Sequence, residues 1–177
     1  MKTEVIQFLS IIPFGLIQKK VLNFLQFRLA NIVGSQVRIF NAQPIPQYAF
    51  DPKRNQYHST RILESLKQIK ARGELILGIV DVDLYAPELN FVFGEANILD
   101  SVCIISIMRL RQEYYGLPKN NKLFLERILK EAIHEIGHTY GLAHCDNPKC
   151  IMHFSNSLKD TDTKEPGFCF RCNMKIK

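Results

Sequence analysis

The 177-residue sequence lacks long apolar runs, internal repeats and low-complexity tracts. No apolar run approaches the roughly 20 residues that a membrane-spanning helix requires, so we expect no membrane partner. Without an internal repeat, neither a solenoid nor a propeller is expected. Hydrophobic residues make up 46% of the chain and charged residues 23%, which is typical of globular proteins. The length fits one domain over residues 1–177.

A dense basic cluster is also missing, although the formal net charge is +6. Short basic groups such as QKK, KQIKAR and KNNK are scattered along the chain, and none alternates with aromatic residues as a single-strand groove requires. A solvated basic surface is therefore favoured, and we expect no nucleic-acid partner.

The first 20 residues lack most marks of a secretory signal. Glu4 and Gln7 interrupt the start, Pro13 cuts the apolar run, and no small-residue cleavage pattern follows. A strand followed by a helix is favoured over a signal peptide. Without an export signal, the five cysteines favour metal or redox sites over structural disulfides, which predicts a cytoplasmic protein.

Hydrophobic periodicity predicts alternating strands and helices. Predicted strands cover residues 5–12, 36–42, 74–85, 90–96 and 101–110, the last two as a hairpin. Predicted helices cover 15–32, 59–71 and 123–141. The first helix has its apolar side at Leu16, Val21, Leu25 and Leu29, and the second has Ser59 or Thr60 as its cap. This order predicts an α/β fold with a mixed sheet.

The most informative segment is EAIHEIGHTYGLAHCDNPKCIMHF, residues 131–154, which holds four of the five histidines. His134 and His138 stand at i and i+4, so both imidazoles leave one face of a helix. Gly141 at positive φ can end that helix and turn the chain back, which lets His144 arrive as a third ligand. Three nitrogen ligands of this kind predict a catalytic Zn²⁺ with an open fourth position.

Glu135 follows the first of these histidines and points to a neighbouring sector of the helix. It can therefore hydrogen-bond a zinc-bound water without displacing it. Zinc would lower the pKa of that water to about 7, and Glu135 would take its proton and deliver it to the leaving amine. The pattern predicts a zinc-dependent hydrolase of peptide bonds.

Four of the five cysteines form a second constellation. Cys145 and Cys150 are spaced C-x(4)-C, Cys169 and Cys172 are spaced C-x(2)-C, and an 18-residue loop separates the pairs. This spacing predicts a closed structural zinc site with four thiolate ligands, and redox disulfides are the alternative. Cys103 lies in the middle of a predicted strand, where a buried small side chain is expected.

Together these residues resemble the metzincin zinc peptidases, and the cysteines resemble the archaemetzincin branch. The resemblance rests on His134, Glu135, His138, Gly141 and His144, together with the four cysteines. It implies that Met152 is the methionine of a Met-turn under the metal. It further implies a twisted mixed sheet with a backing helix, an upper part (1–141) that ends in the zinc helix, and a lower part (142–177) that holds the structural zinc. Two zinc ions per chain would result.

The resemblance also implies a substrate cleft beside an antiparallel edge strand, for which NFVFG (90–94) is the candidate. An extended peptide would add to that edge by main-chain hydrogen bonds. The candidate substrate-binding residues are Phe91, Val92, Phe93 and Gly94. The expected partner is a peptide or protein substrate, and the expected state is a monomer.

Two other functions stay open. One is a zinc-stabilised protein that binds peptides with little or no cleavage. The other is a zinc-finger-like nucleic-acid module, which the scattered basic charge disfavours. Asp81 and Asp83 are either carboxylates of the cleft or loop caps, while Tyr85 and Tyr140 are possible contacts for an oxyanion.

Overall fold

The computed structural model describes residues 6–176, which form a five-stranded mixed sheet, a three-stranded sheet and five helices. The strands are β1 (Phe8–Phe14), β2 (Gln36–Ile39), β3 (Phe50–Asp51), β4 (Gln56–His58), β5 (Glu74–Val80), β6 (Leu84–Tyr85), β7 (Gly94–Asn97) and β8 (Val102–Ser106). The helices are α1 (Lys19–Val33), α2 (Ser59–Ile69), α3 (Asn121–Thr139), α4 (Leu158–Thr163) and α5 (Phe170–Asn173). The predicted strand over 5–12 starts at Val5, outside the described residues; residues 6 and 7 precede β1, and residues 8–12 lie in it.

The large sheet has the strand order β2-β1-β5-β8-β7. The first four strands run parallel, and β7 pairs antiparallel with β8 at the edge. This confirms the predicted mixed sheet with an antiparallel edge strand. The hairpin predicted for the β7 and β8 region is present as well.

Helices cover both faces of this sheet, and β5 lies in the middle with every residue buried. Leu75, Leu77 and Ile79 face one core, which α1 and α3 complete. Ile76 and Val80 face a second core, which α2 completes. A parallel strand that is covered on both faces has a nearly continuous run of apolar residues. This run is the reason why the sequence predicted a central position for β5.

The first helix begins four residues later than its apolar spacing predicted. Leu16 is 97% exposed and lies before α1, which begins at Lys19. Gly15 has a φ of +68°, so the chain turns sharply between β1 and this segment. Leu16 was therefore wrongly placed on the apolar side, whereas Leu25 and Leu29 are buried there as predicted.

The second helix has His58 as its N-cap, so the predicted cap at Ser59 or Thr60 was wrong. Both hydroxyls donate instead to the carboxylate of Glu95 on β7. This pair of contacts joins the start of α2 to the edge strand of the sheet.

The predicted strand over 74–85 is interrupted after Val80, and Leu84–Tyr85 pairs with β4 in the small sheet. Between the two segments, Asp83 forms a bidentate ion pair with Arg109 at 2.6 and 2.7 Å. Asp81 forms a similar pair with Arg111. Both carboxylates therefore anchor the loop.

The third helix is the longest, with 19 residues, and it runs against β7 and β8. The side chain of Asn120 accepts a hydrogen bond of 3.0 Å from the backbone N–H of Leu123, which caps the helix start. Gly141, just beyond the helix end, has a φ of +83°, which confirms the predicted positive φ. No helix in residues 6–176 is long and apolar enough to cross a membrane.

Replacement of Asn120 by alanine tests this cap. Because the first backbone N–H groups of a helix have no intrahelical acceptor, we expect Asn120→Ala to lower the free energy of unfolding by about 1 kcal/mol. Urea unfolding followed by circular dichroism measures the change. Asn121→Ala, at an exposed position in the first turn, is the matched control. An equal loss in both variants would contradict the capping role.

Candidate functional site

The three histidines of the motif come together at the C-terminal end of α3. His134 and His138 project from the helix, and His144 reaches them from the loop that follows Gly141. One ring nitrogen from each side chain lies within 4.8 Å of the other two. His134 is buried, His138 half-buried and His144 exposed, so the cluster opens to the surface on one side.

Main-chain carbonyls orient two of these rings. Nδ1 of His134 lies 2.7 Å from the oxygen of Ile151, and Nδ1 of His138 lies 2.7 Å from the oxygen of Leu142. Because a carbonyl oxygen only accepts, both Nδ1 atoms carry the proton and both Nε2 atoms present lone pairs. This arrangement fixes the tautomer of a metal-binding histidine.

The two Nε2 atoms of His134 and His138 are 3.1 Å apart. Two lone pairs at that distance repel each other unless a cation lies between them. Burial lowers the pKa of all three imidazoles, and of His134 most strongly. Neutral imidazoles are the form that ligates metals, so these residues fit a zinc ion.

Glu135 lies between α3 and the edge strand. Its carboxyl group is buried against Gly94 of β7, where a Cβ atom would come within 2.6 Å of Glu135 Cγ and Oε1. Only glycine at this position therefore leaves room for the side chain as it stands. Burial raises the pKa of the Glu135 carboxyl well above its usual value, and the nearby charge of Glu131 raises it further.

A cleft with a volume of about 330 Å³ runs between the histidines and the edge strand. All four candidate substrate-binding residues line it, although Phe91–Phe93 precede β7 and only Gly94 belongs to the strand. Arg109 lies over the Phe91 ring, 4.3 Å from its centroid. The ion pair of Arg109 with Asp83 thus also supports one wall of the cleft.

The register of β7 shows which main-chain groups face away from the sheet. The N–H of Ser106 donates to the oxygen of Phe93, and β7 pairs Gly94 with Ile105. Because hydrogen-bonded and non-hydrogen-bonded pairs alternate in an antiparallel ladder, Gly94 and Ala96 point their N–H and C=O groups away from β8. These groups lie on the open edge, toward the cleft.

The four cysteines of the two short pairs also come together, with their sulfur atoms within 4.8 Å of one another. All are free thiols. Cys145 Sγ and Cys169 Sγ are 3.8 Å apart, close to the spacing of about 3.8 Å that Zn–S bonds of about 2.3 Å give in a tetrahedron. The backbone N–H of Cys169 donates to Cys150 Sγ at 3.4 Å. This donor set fits a second zinc ion.

One basic side chain approaches this thiol cluster. Burial opposes ionisation of Cys145, but Arg171 Nη2 lies 3.5 Å from its sulfur. The guanidinium, the backbone of Asn147 and the thiols of Cys172 and Cys169 together outweigh burial, and the pKa of the Cys145 thiol falls to about 6. Cys103 is fully buried in the main core and lies outside the cluster.

Met152 is fully buried and packs against the helix that carries His134 and His138. A Cβ atom on Gly137 would lie 2.4 Å from Met152 Sδ. The glycine between the two histidines therefore makes room for the methionine. Met152 therefore lies against the turn of α3 that carries the two histidines.

The remaining candidates from the sequence lie elsewhere. Tyr85 donates its hydroxyl to Asp51 at 3.2 Å, and Tyr140 lines a separate apolar pocket. The fourth histidine of the segment, His153, is not part of the cluster, and its Nδ1 lies 2.8 Å from the oxygen of Cys145.

Several cleft residues were missed from the sequence: Glu95, Glu131, Phe154, Ser155 and Asn156. Helical spacing from Glu135 offered a signal for Glu131, and proximity to Met152 offered one for Phe154. Glu95 and Ser155 carry no local signal, because their positions depend on long-range packing.

Comparison with known proteins gives consistent matches along the chain. The family model for peptidase family M54 matches residues 6–177. An archaemetzincin from Methanocaldococcus jannaschii is 44% identical over 165 residues, which cover 93% of this chain and 90% of the relative. One from Pyrococcus furiosus is 42% identical over 174 residues, with coverages of 94% and 91%.

Two solved structures are similar as well. Archaemetzincin from Archaeoglobus fulgidus, complexed with malonate, has a TM-score of 0.85 and 36% identity, covering 96% of this chain and 100% of that one. A zinc-dependent peptidase from Methanocorpusculum labreanum has a TM-score of 0.87 and 31% identity, with the same coverages.

Gly137→Ala tests the contact between α3 and Met152 beside the candidate metal site. We expect the added methyl group to displace Met152 and to lower the free energy of unfolding by about 1–3 kcal/mol, as overpacking does. Urea unfolding measures the stability, and chelator competition measures zinc retention, which should weaken because Ile151 O orients His134. Gly167→Ala is the control, since its Cβ would meet no atom within 4 Å. Equal stability and equal zinc retention in the two variants would contradict the close contact between Gly137 and Met152.

Proposed function

The chain belongs to peptidase family M54, and from this premise we propose that it hydrolyses peptide bonds at a zinc ion held by His134, His138 and His144. The observation that carries the proposal is the pair of Nε2 lone pairs that face each other at 3.1 Å beside a buried carboxyl group. The names of the family and of the curated relatives support a zinc metallopeptidase. The mechanism and the assignment to the metzincin type are our inference.

His134, His138 and His144 would hold the zinc ion, which would supply Lewis acidity to polarise a substrate carbonyl and to lower the pKa of a water molecule. Glu135 takes a proton from that water at its carboxylate and returns it to the amine nitrogen that leaves. Its burial against Gly94 supports this role, because a carboxyl group with a raised pKa holds a proton more readily. The hydrogen bonds to Ile151 and Leu142 keep two imidazoles in the ligating tautomer.

We propose that the substrate binds as an extended strand along β7. The main-chain groups of Gly94 and Ala96 would form the hydrogen bonds, because they point away from β8. The side chains of Phe91, Val92 and Phe93 would contact substrate side chains, since they line the same cleft. The substrate is a peptide or an unfolded protein segment.

The four-cysteine cluster is proposed to hold a second, structural zinc ion. Its sulfur atoms come from two segments, around Cys145–Cys150 and Cys169–Cys172, which the metal would join. Four protein ligands leave no open position, which is the mark of a structural site. With zinc in the histidine site as well, each chain would carry two ions.

We further propose that residues 1–177 form one catalytic domain, divided into 1–141 and 142–177. The main core supports this, because it includes Ile151 and Met152 from the C-terminal part together with residues of the sheet. Free thiols in the described residues suit a reducing cytoplasm.

Glu135→Gln tests the acid–base role. Because the amide keeps the shape of the side chain and cannot take up a proton, we expect kcat to fall by about 10²–10⁴-fold while zinc content stays constant. The measurement is steady-state cleavage of a fluorogenic peptide with zinc counted on the same samples. Glu126→Gln, on the same helix but outside the cleft lining, is the matched control.

Unchanged kcat in Glu135→Gln would contradict the mechanism. If neither the wild-type protein nor the control cleaves any peptide while zinc is bound, the alternative of a peptide-binding protein without turnover replaces the proposal.

A further inference from the structure

Glu131 lines the cleft one helical turn before Glu135 and is not used in the proposed reaction. Residues four positions apart on a helix share one face, so Glu131 and Glu135 open onto the same side of α3. Glu131 is only 2% exposed. A carboxylate buried to this extent needs hydrogen-bond donors. The two carboxylate oxygens of Glu131 differ in the donors that they contact.

Oε1 of Glu131 has two donors from the C-terminal part of the chain. Thr161 Oγ1 donates at 3.0 Å, and Lys164 Nζ lies at 3.2 Å. The side chain of Lys164 is fully buried. The pair of Glu131 and Lys164 is therefore electrically neutral and closed to solvent on the lysine side.

The segment that carries these donors is itself fixed to α3. Lys130 Nζ donates to the carbonyl oxygens of Thr161 and Asp162, each at 3.0 Å. Arg127 forms a bidentate pair with the Asp162 carboxylate, with both distances at 2.7 Å. Glu131 is thus held in one orientation before any ligand arrives, which reduces the entropic cost of binding.

Oε2 of Glu131 has no hydrogen-bond donor among residues 6–176. Within the same part of the chain, the solvent-inaccessible side-chain polar atoms that lack a hydrogen-bond partner are His58 Nδ1 and Ser155 Oγ. Oε2 therefore keeps some solvent exposure, and Glu131 lines the cleft. A nearly buried acceptor without a donor is unfavourable, and a donor from a ligand would satisfy it.

We propose that Glu131 forms a subsite that selects a substrate side chain with an N–H or O–H donor, next to the peptide bond that is cut. This inference rests on the proposed function. Because Lys164 already neutralises the carboxylate, the subsite requires a donor and no positive charge. A substrate carboxylate is rejected, since it would place an acceptor against Oε2.

Glutamine and glutamate side chains have nearly the same shape, but glutamine offers an N–H donor whereas glutamate is an anion that only accepts. Leucine, which is neutral and has no donor, separates the effect of the donor from that of the charge. The probes are peptidyl hydroxamates that carry Gln, Glu or Leu at one position. One series extends from the hydroxamate toward the amino side of the peptide, and the other toward the carboxyl side. Dissociation constants are measured by calorimetry on the full-length, zinc-loaded protein, so that the readout does not depend on turnover.

In one of the two series, we expect the Gln probe to bind at least about tenfold more tightly than the Glu probe, with the Leu probe also weaker than Gln. This comparison needs only the wild-type protein. The variant Glu131→Gln/Lys164→Met replaces the ion pair by neutral groups of similar size, which buried sites often tolerate. Its amide offers a donor as well as an acceptor, so the Gln/Glu ratio should fall to within about twofold.

Glu126→Gln is the control, because it makes the same carboxylate-to-amide change on α3 outside the cleft lining; it should keep the wild-type ratio. Equal binding of Gln and Glu probes in both series would overturn the subsite alone. A ratio retained in the double variant, once thermal melting shows that it folds, would also overturn it. If no hydroxamate binds the zinc-loaded protein, the proposed zinc centre fails and the subsite fails with it.

Discussion

The left-handed turn at Gly141 is the constraint on which both candidate metal sites depend. A φ of +83° ends α3 and sends the chain back toward the helix, so His144 reaches the two histidines that α3 carries. The next residue, Cys145, enters the thiol cluster instead. One change of chain direction therefore supplies a ligand to each site. A side chain with a Cβ atom adopts this conformation only with strain, which explains why glycine stands there.

The cleft depends on contacts between segments far apart in the sequence. Gly94 on the edge strand leaves space for Glu135, and Gly137 on α3 leaves space for Met152. One helical turn before Glu135, Lys164 and Thr161 hold Glu131. The helix, the edge strand and the C-terminal part thus fix one another, which is what a site needs to keep its groups in place before a ligand binds.

The sequence predicted most of the features that depend on local backbone geometry. Helical spacing placed His134 and His138 on one face, and the need to turn the chain predicted the φ of Gly141. The resemblance to archaemetzincins is confirmed by the family model and by relatives of over 40% identity. What the sequence did not predict depends on distant partners. Ser59 was expected to cap a helix, but its hydroxyl bonds Glu95, 36 residues away. The predicted strand stops at Val80, and Asp81 and Asp83 in the loop that follows pair with Arg111 and Arg109.

The most direct test of the proposed zinc centre is to count zinc by elemental analysis in the wild-type protein and in His138→Ala, with a fluorogenic peptide-library assay on the same samples. We expect two zinc ions per chain in the wild type, one in the variant, and cleavage by the wild type alone. One zinc ion in both proteins would contradict the proposed zinc centre, because the three histidines would then hold no metal.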